Sequence, residues 1–287
     1  MNEKNRIEKG TLYLVGTPIG NLTDISERAV KVLSEVDFVA AEDTRNSMKL
    51  LNHLGIKKAM ISYFEHNKME RGEQIVSRLK SGESGALVTD AGMPAISDPG
   101  EDLVRLCAEN DIKVTTIPGP CAAITALTLS ALPTGRFSFE GFLSANKSER
   151  RSALAELTNE KRTMIFHEAP HKLKATLTDM SSAFGGDRRI ALCRELTKLN
   201  EQVLRMTLDE ATEYYTANEP RGEFVLVVEG ASASVCGKSF WEDMSILEHV
   251  TFYIEQGMTK NDAIKAAAKD RKVPKNEIYK ETLELKV

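Results

Sequence analysis

The sequence predicts an α/β protein: two α/β domains followed by a short helical extension. Three observations carry that reading. Short apolar runs alternate with amphipathic, helix-spaced stretches from residue 11 to about 131. A Pro-Thr-Gly break at 133–135 opens a second series in which the apolar runs lie closer together. Strand-like runs then stop before the end of the chain. Alternating strand and helix implies a mostly parallel sheet covered on its faces, and closely linked strands imply a mixed sheet. At 287 residues the chain also exceeds the roughly 100–200 residues of one ordinary domain. The predicted divisions are 1–118, 119–231 and 232–287.

In order, residues 11–15 (TLYLV) read as a buried strand. Residues 26–34 read as a helix, with Ala29, Val30 and Leu33 on one face and Thr23 or Asp24 as its cap. A strand at 38–41 and a helix at 47–54 closed by Gly55 follow. Strands at 60–63, 86–89 and 114–117 alternate with helices near 68–80, 99–109 and 121–131. The second series offers strands at 137–143, 163–167, 190–193, 202–207 and 223–229. Residues 232–238 are small and polar, as in a linker. Helices near 242–256, 259–270 and 275–284 are punctuated by Gly257 and Pro274.

Composition excludes several classes. With 41% apolar and 28% charged residues the chain is neither fibrous nor wholly disordered. No apolar run approaches the roughly 18–20 residues of a membrane span, so no membrane partner is expected. The hydrophilic start lacks the apolar core of a secretory signal, which points to a cytoplasmic protein. Cys107, Cys121, Cys193 and Cys236 form no Cys-x-x-Cys pair and no disulfide framework. A net charge of −4 excludes bulk-charge binding of nucleic acid, leaving local basic patches as the only route.

In open α/β sheets ligands bind beyond the carboxyl ends of the strands. Each strand of the first series ends in a conspicuous loop: 16–22 (GTPIGNL), 41–46 (AEDTRN), 65–67 (EHN), 90–100 (DAGMPAISDPG) and 118–123 (PGPCAA). Collected on one sheet edge, they bring exposed backbone N–H groups, carboxylates and an arginine into a cleft. The Gly-x-Gly-x-x-Gly fingerprint and the phosphate loop are both missing, which argues against dinucleotide or nucleoside-triphosphate binding of those types.

Residues 15–22 (VGTPIGNL), 41–45 (AEDTR), 90–100 and 117–120 (IPGP), continued by 139–143 (FEGFL), 167–171 (HEAPH) and 194–198 (RELTK), resemble the ribosomal RNA small subunit methyltransferase I family of the tetrapyrrole methylases. The likeness covers about residues 10–231. It implies the tetrapyrrole-methylase fold, with S-adenosylmethionine held in a cleft between the two α/β domains. It also implies a homodimer, and 2′-O-methylation of a cytidine ribose in the decoding region of 16S rRNA, free or in the small ribosomal subunit. By position it implies Pro18, Asp90, Ala91, Gly92, Ala95, Ile96, Ala122, Ala123, Glu168 and Leu196 as cofactor-binding residues.

Methyl transfer to a sugar hydroxyl needs the oxygen aligned about 3 Å from the methyl carbon and a group to accept its proton. Glu42, Asp43 and Arg45 suit that task, a carboxylate as base and the arginine on a phosphate. His66 and His167 are weaker candidates, and Glu65 is a further one. Residues 167–171 also spell His-Glu-x-x-His, but a zinc site needs both histidines on one helix face; Pro170 and the strand-like run before it argue against that, so no metal is expected.

RNA contact would come from Lys147, Arg150, Arg151 and Lys172 in the second domain, with Lys161, Arg162, His171 and Lys174 beside them. In the tail it would come from Lys265, Lys269, Arg271 and Lys272, within a stretch (259–280) of net charge +4. Two other readings stay open: a superfamily methylase acting on a tetrapyrrole, another small molecule or a modified protein side chain, and a non-catalytic RNA-binding or ribosome assembly factor.

Overall fold

The computed structural model describes residues 6–231, 241, 244–271 and 273–282. The predicted linker at 232–238, Cys236 and Lys272 lie outside the described residues. Residues 1–230 form one compact unit and 231–287 a second.

The first unit opens with strands β1 (Thr11–Val15), β2 (Phe38–Ala41), β3 (Ala59–Ser62), β4 (Gly85–Val88) and β5 (Lys113–Ile117), interleaved with helices α1 (Glu27–Glu35), α2 (Thr44–His53), α3 (Lys68–Lys80), α4 (Gly100–Glu109) and α5 (Ala122–Leu129). The sheet order is β3-β2-β4-β1-β5 with every pairing parallel, as the alternation predicts. β2 and β4 are buried on both faces, which is why they read as unbroken apolar runs. One face packs on Ala29, Leu33 and Leu51 of α1 and α2. The other packs on Ile75, Leu79, Leu103 and Cys107 of α3 and α4.

Two local expectations are corrected. The cap of α1 is Ser26, whose side chain accepts from the Ala29 amide at 3.1 Å. Residues 22–24 instead form a separate 3-10 turn capped by Asn21. Helix α2 begins three residues before its predicted start, with Asp43 as its cap. That shift decides the chemistry of Asp43 described below.

The second sheet comprises β6 (Phe137–Phe142), β7 (Thr163–Glu168), β8 (Arg189–Arg194), β9 (Gln202–Thr207) and β10 (Phe224–Val228), with helices α6 (Lys147–Glu156), α7 (Pro170–Phe184) and α8 (Leu208–Ala217). Its order is β6-β7-β10-β8-β9, with β6 parallel to β7 and the other three pairings antiparallel, the mixed sheet that the spacing predicts. Helices α6 to α8 cover one face, through Leu154, Leu173, Leu177 and Leu208. Helix α5 covers the other through Ala123, Ala126 and Leu127. Helix α8 is absent from the sequence reading. Its signal was present as Thr207-x-x-Glu210, which closes a reciprocal capping box.

His167 lies on β7 while His171 sits on the first turn of α7, which starts at Pro170. The two histidines therefore share no helix face. Among the described residues no group of three or more His, Cys, Asp or Glu side chains is placed to hold a metal ion, and no helix is long and apolar enough to cross a membrane.

The second unit is a three-helix cluster: α9 (Ile246–Glu255), α10 (Lys260–Arg271) and α11 (Lys275–Glu281). Val250, Ala263, Ile264, Ala267 and Ile278 make its core.

Within the first unit Gly16 and Gly119 meet backbone to backbone. A Cβ on Gly16 would stand 2.7 Å from the Gly119 Cα and 2.7 Å from the Met93 sulfur. Overpacking of that kind costs about 1–3 kcal/mol. Gly16→Ala is therefore expected to lower unfolding free energy by that amount in a denaturant titration, whereas Gly55→Ala, which meets no atom but sits at φ +70°, reports backbone strain alone.

Candidate functional site

Because the first sheet is parallel, the loops after β1, β2, β4 and β5 emerge along one edge. Short backbone links bind them together. Thr17 and Gly92 exchange two hydrogen bonds, 2.9 and 3.1 Å, in an isolated antiparallel bridge between the β1 and β4 loops. The Thr17 hydroxyl donates to the Thr89 carbonyl at 3.3 Å. The β4 loop places Ala95 and Ser97 in the left-handed region (φ 68° and 64°), a conformation that needs local support in non-glycine residues. Asp98 provides it by accepting from the amides of Ala95, Ile96 and Gly100 at 3.1, 3.1 and 2.8 Å.

The second sheet faces this edge with the ends of β6, β7 and β8 and the antiparallel start of β10. Between the two lies a cavity of about 390 Å³, within the usual range for small-molecule sites. Of the ten expected cofactor residues, Ala91, Gly92, Ile96, Ala122, Ala123, Glu168 and Leu196 line it. Pro18, Asp90 and Ala95 do not line it, although each adjoins a residue that does, Ile19, Ala91 and Ile96. Glu168 is fixed structurally: its buried carboxylate accepts from Thr176 at 2.5 Å and the Ala169 amide at 2.9 Å, and pairs with Lys172 at 3.0 Å.

Residues that sequence reasoning missed include Ile19, Met93, Cys121, Phe142, Cys193 and residues 223–225. Those of β10 were hidden by topology, since only the mixed pairing brings the start of that strand to the ends of its neighbours. Phe142 reaches the cavity through a bulge in β6. The register slips between Phe139 and Gly141, and Gly141 takes φ +67°. Phe139 and Phe142 thereby both reach the His167 ring, at 5.1 and 5.3 Å. Burial lowers the pKa of His167, so its imidazole is neutral near pH 7, and its buried Nε2 has no hydrogen-bond partner among the described residues.

Glu42 and Asp43 follow β2, beside the start of the β4 loop. They differ in environment. Asp43 caps α2 and is held by Arg45, whose Nε and backbone amide donate to it at 3.1 and 2.8 Å; its pKa falls to about 2. A carboxylate so engaged is a poor proton acceptor, so the structure removes Asp43 from the candidate bases and turns Arg45 toward it. Glu42 instead has its pKa raised, first by desolvation and also by Asp90, Asp98 and Asp43, while a 3.2 Å hydrogen bond from Thr89 opposes the rise. His66 lies exposed in the β3 loop with its ring against Phe64.

The basic candidates divide likewise. Arg150 is 5% exposed and bound to Asp179 at 2.7 Å, so it is a structural ion-pair partner and not a docking residue. Arg151 pairs with the same carboxylate at 2.7 Å but remains half exposed. Lys172 is tied to Glu168 and to the Leu143 carbonyl. Arg271 is likewise spent inside the second unit, on His249 Nδ1 and the carbonyls of Trp241, Met244 and Ser245. Lys147 and Lys269 are exposed, and Lys265 is exposed beside Asp262 at 3.0 Å.

The family model for Tetrapyrrole (Corrin/Porphyrin) Methylases matches residues 11–212. A protein of Halalkalibacterium halodurans named Ribosomal RNA small subunit methyltransferase I is 50% identical over 277 residues, 96% of each chain. The chain belongs to that family. A Bacillus subtilis protein of the same name is 45% identical over 281 residues, 97% of this chain and 96% of its own. The fold is shared with a cobalt precorrin-4 methyltransferase (TM-score 0.58, 16% identity, 77% of this chain and 95% of that one) and with a diphthine synthase (TM-score 0.58, 14% identity, 77% and 89%). The family has S-adenosylmethionine-dependent methyltransferases as its members, which accounts for the missing dinucleotide fingerprint.

Asp98 holds the β4 loop through three amides, and leaving such groups unpaired costs about 1–3 kcal/mol. Asp98→Ala is expected to lower stability by that amount and Asp98→Asn by less, as read by thermal unfolding.

Proposed function

We propose that this chain methylates the 2′-hydroxyl of a cytidine ribose in the decoding region of 16S rRNA, using S-adenosylmethionine bound in the cavity between the two sheets. The observation that carries the reading is that cavity, with Glu42 just past the β2 end and accepting from Thr89 at 3.2 Å, two residues before the cavity-lining Ala91. The cavity suits the cofactor: its wall is mostly aliphatic and alanine, Gly92 lets backbone approach at φ +86°, and the orphaned Nε2 of His167 offers a polar contact. Gly92, Ala122, Ala123 and Leu196 would hold it, with Ile96 on the far side. When bound, S-adenosylmethionine supplies an activated methyl group on a sulfonium.

The chain's own residues then have defined tasks. Glu42 accepts the proton of the ribose hydroxyl, and its raised pKa makes it a stronger base than an ordinary carboxylate. Arg45, anchored by Asp43 yet 86% exposed, meets a phosphate of the substrate. Lys147, Lys265 and Lys269 give the RNA further cationic contacts. The reading includes a homodimer acting in the cytoplasm, as the family resemblance implies.

Supplying labelled S-adenosylmethionine with naked 16S RNA or assembled small subunits, and then mapping the label, tests the reading. Label on a cytidine ribose is expected; label on a base, or on neither substrate, would refute it. Glu42→Gln is expected to lower kcat by about 10²–10⁴-fold with donor affinity unchanged. In the parent enzyme, activity should fall as pH drops through the raised pKa of Glu42, above the ordinary 4.5, because the protonated carboxyl cannot accept a proton. That acid limb should vanish in Glu42→Gln.

A further inference from the structure

A second cavity, of about 260 Å³, lies at the same end of the second sheet but on its α8 side. It is separated from the first by strand alternation: Cys193 lines the first cavity and Arg194, the next residue of β8, lines the second. Its walls are polar. Arg194 is oriented by donating through Nε to the Arg221 carbonyl at 2.7 Å and through a terminal nitrogen to the Gln202 carbonyl oxygen at 3.4 Å. That bond also fixes the Gln202 side chain and leaves its amide nitrogen as a donor. The Arg221 guanidinium has no hydrogen-bond or ion-pair partner among the described residues. Glu219, the one carboxylate on the wall, is 74% exposed and engaged by Lys174 at 2.7 Å.

Tyr215 supplies the second, independent observation. Its side chain packs edge-on to Phe224 and Tyr214, and the residue is 4% exposed. Its hydroxyl makes no hydrogen bond among the described residues and is not closed off from solvent, which leaves it free to donate into the cavity. Burial pushes its pKa up to about 12, so it stays a donor at neutral pH. Two guanidiniums, two tyrosines and two amide side chains line one cavity whose one carboxylate is paired with Lys174 from outside. Donors of this kind suit the oxygens of a phosphate.

We propose that Arg194, Arg221, Tyr215 and Gln202 bind a backbone phosphate of the substrate RNA, beside the methyl-donor cavity and across strands β8 and β10 from it. This rests on the rRNA reading and deepens it. The turn at 219–223 joins the two cavities, with Arg221 on one and Glu223 on the other. A phosphate held here therefore fixes the strand near the reacting sugar, where Arg45 alone would leave it free to pivot. Phosphate contacts set register and orientation without reading sequence.

The test uses the full-length protein, small subunits or 16S RNA as substrate, and steady-state methyl transfer over a range of salt. Arg221→Ala is expected to raise the KM for RNA about tenfold and to reduce the salt slope of log affinity by about one. Its kcat and S-adenosylmethionine affinity should stay within about twofold of the parent. Tyr215→Phe, which removes only the hydroxyl, should raise KM by a smaller factor with the same kcat. Inorganic phosphate, added at matched ionic strength, should compete with RNA in the parent and lose that effect in Arg221→Ala. Unchanged KM and salt slope in both variants would overturn the proposal, as would a loss confined to kcat. Phosphate binding that Arg221→Ala abolishes without altering RNA affinity would make this a small-anion site and overturn the RNA assignment. Failure of the rRNA reading itself looks different, since the parent enzyme would then leave no label on RNA.

Discussion

Everything at the cleft depends on the close backbone contact among three loops. Gly16 touches Gly119, and Thr17 is bridged to Gly92, so the turns after β1, β4 and β5 are held as one surface. No side chain fits between the first pair. That constraint explains why these loops are rich in glycine and proline, and why the wall they form is backbone and alanine. A surface of main chain and small side chains is stiff and smooth, suited to a flat, apolar ligand with polar edges. The candidate functional groups stand around this surface: Glu42 just past the end of β2, and His167 on the facing sheet.

Electrostatics divides neighbours of like charge into different tasks. Glu42 and Asp43 are adjacent in the chain, yet one pKa is raised and the other lowered to about 2. The difference follows from helix geometry. An aspartate at a helix cap accepts backbone amides, and here it also meets an arginine two residues on, both of which favour the ionised form. The preceding residue lies on the strand end, where desolvation and nearby acids favour the neutral form. Similarly, Arg150 and Arg271 are engaged by Asp179 and His249, both buried, whereas Lys147 and Lys269 stand exposed to solvent. Position in sequence says little about which cation is available.

Much of the fold was legible because the patterns that encode it are local. β1, β2 and β9 have the bounds read from the sequence, since apolar runs bounded by polar turns leave little choice. Helix α8 escaped because its apolar positions are sparse and its start follows β9 with no turn between. At the site, residues on strand-end loops were readable from the family motifs, and seven of ten proved to line the cavity. Residues 223–225 were not, because only the antiparallel placement of β10 between β7 and β8 brings them there. The Phe142 contact needed a bulge that one glycine permits. Which carboxylate could serve as a base also required the true start of α2.

The most direct test of the central claim is a crystal structure with S-adenosylhomocysteine, the product left after methyl transfer. The account predicts the nucleoside seated between Gly92, Ala123 and Leu196, with its sulfur on the side nearer the β2 strand end that carries Glu42. Clear density for the compound anywhere else on the protein, or a sulfur turned away from that strand end, would contradict it.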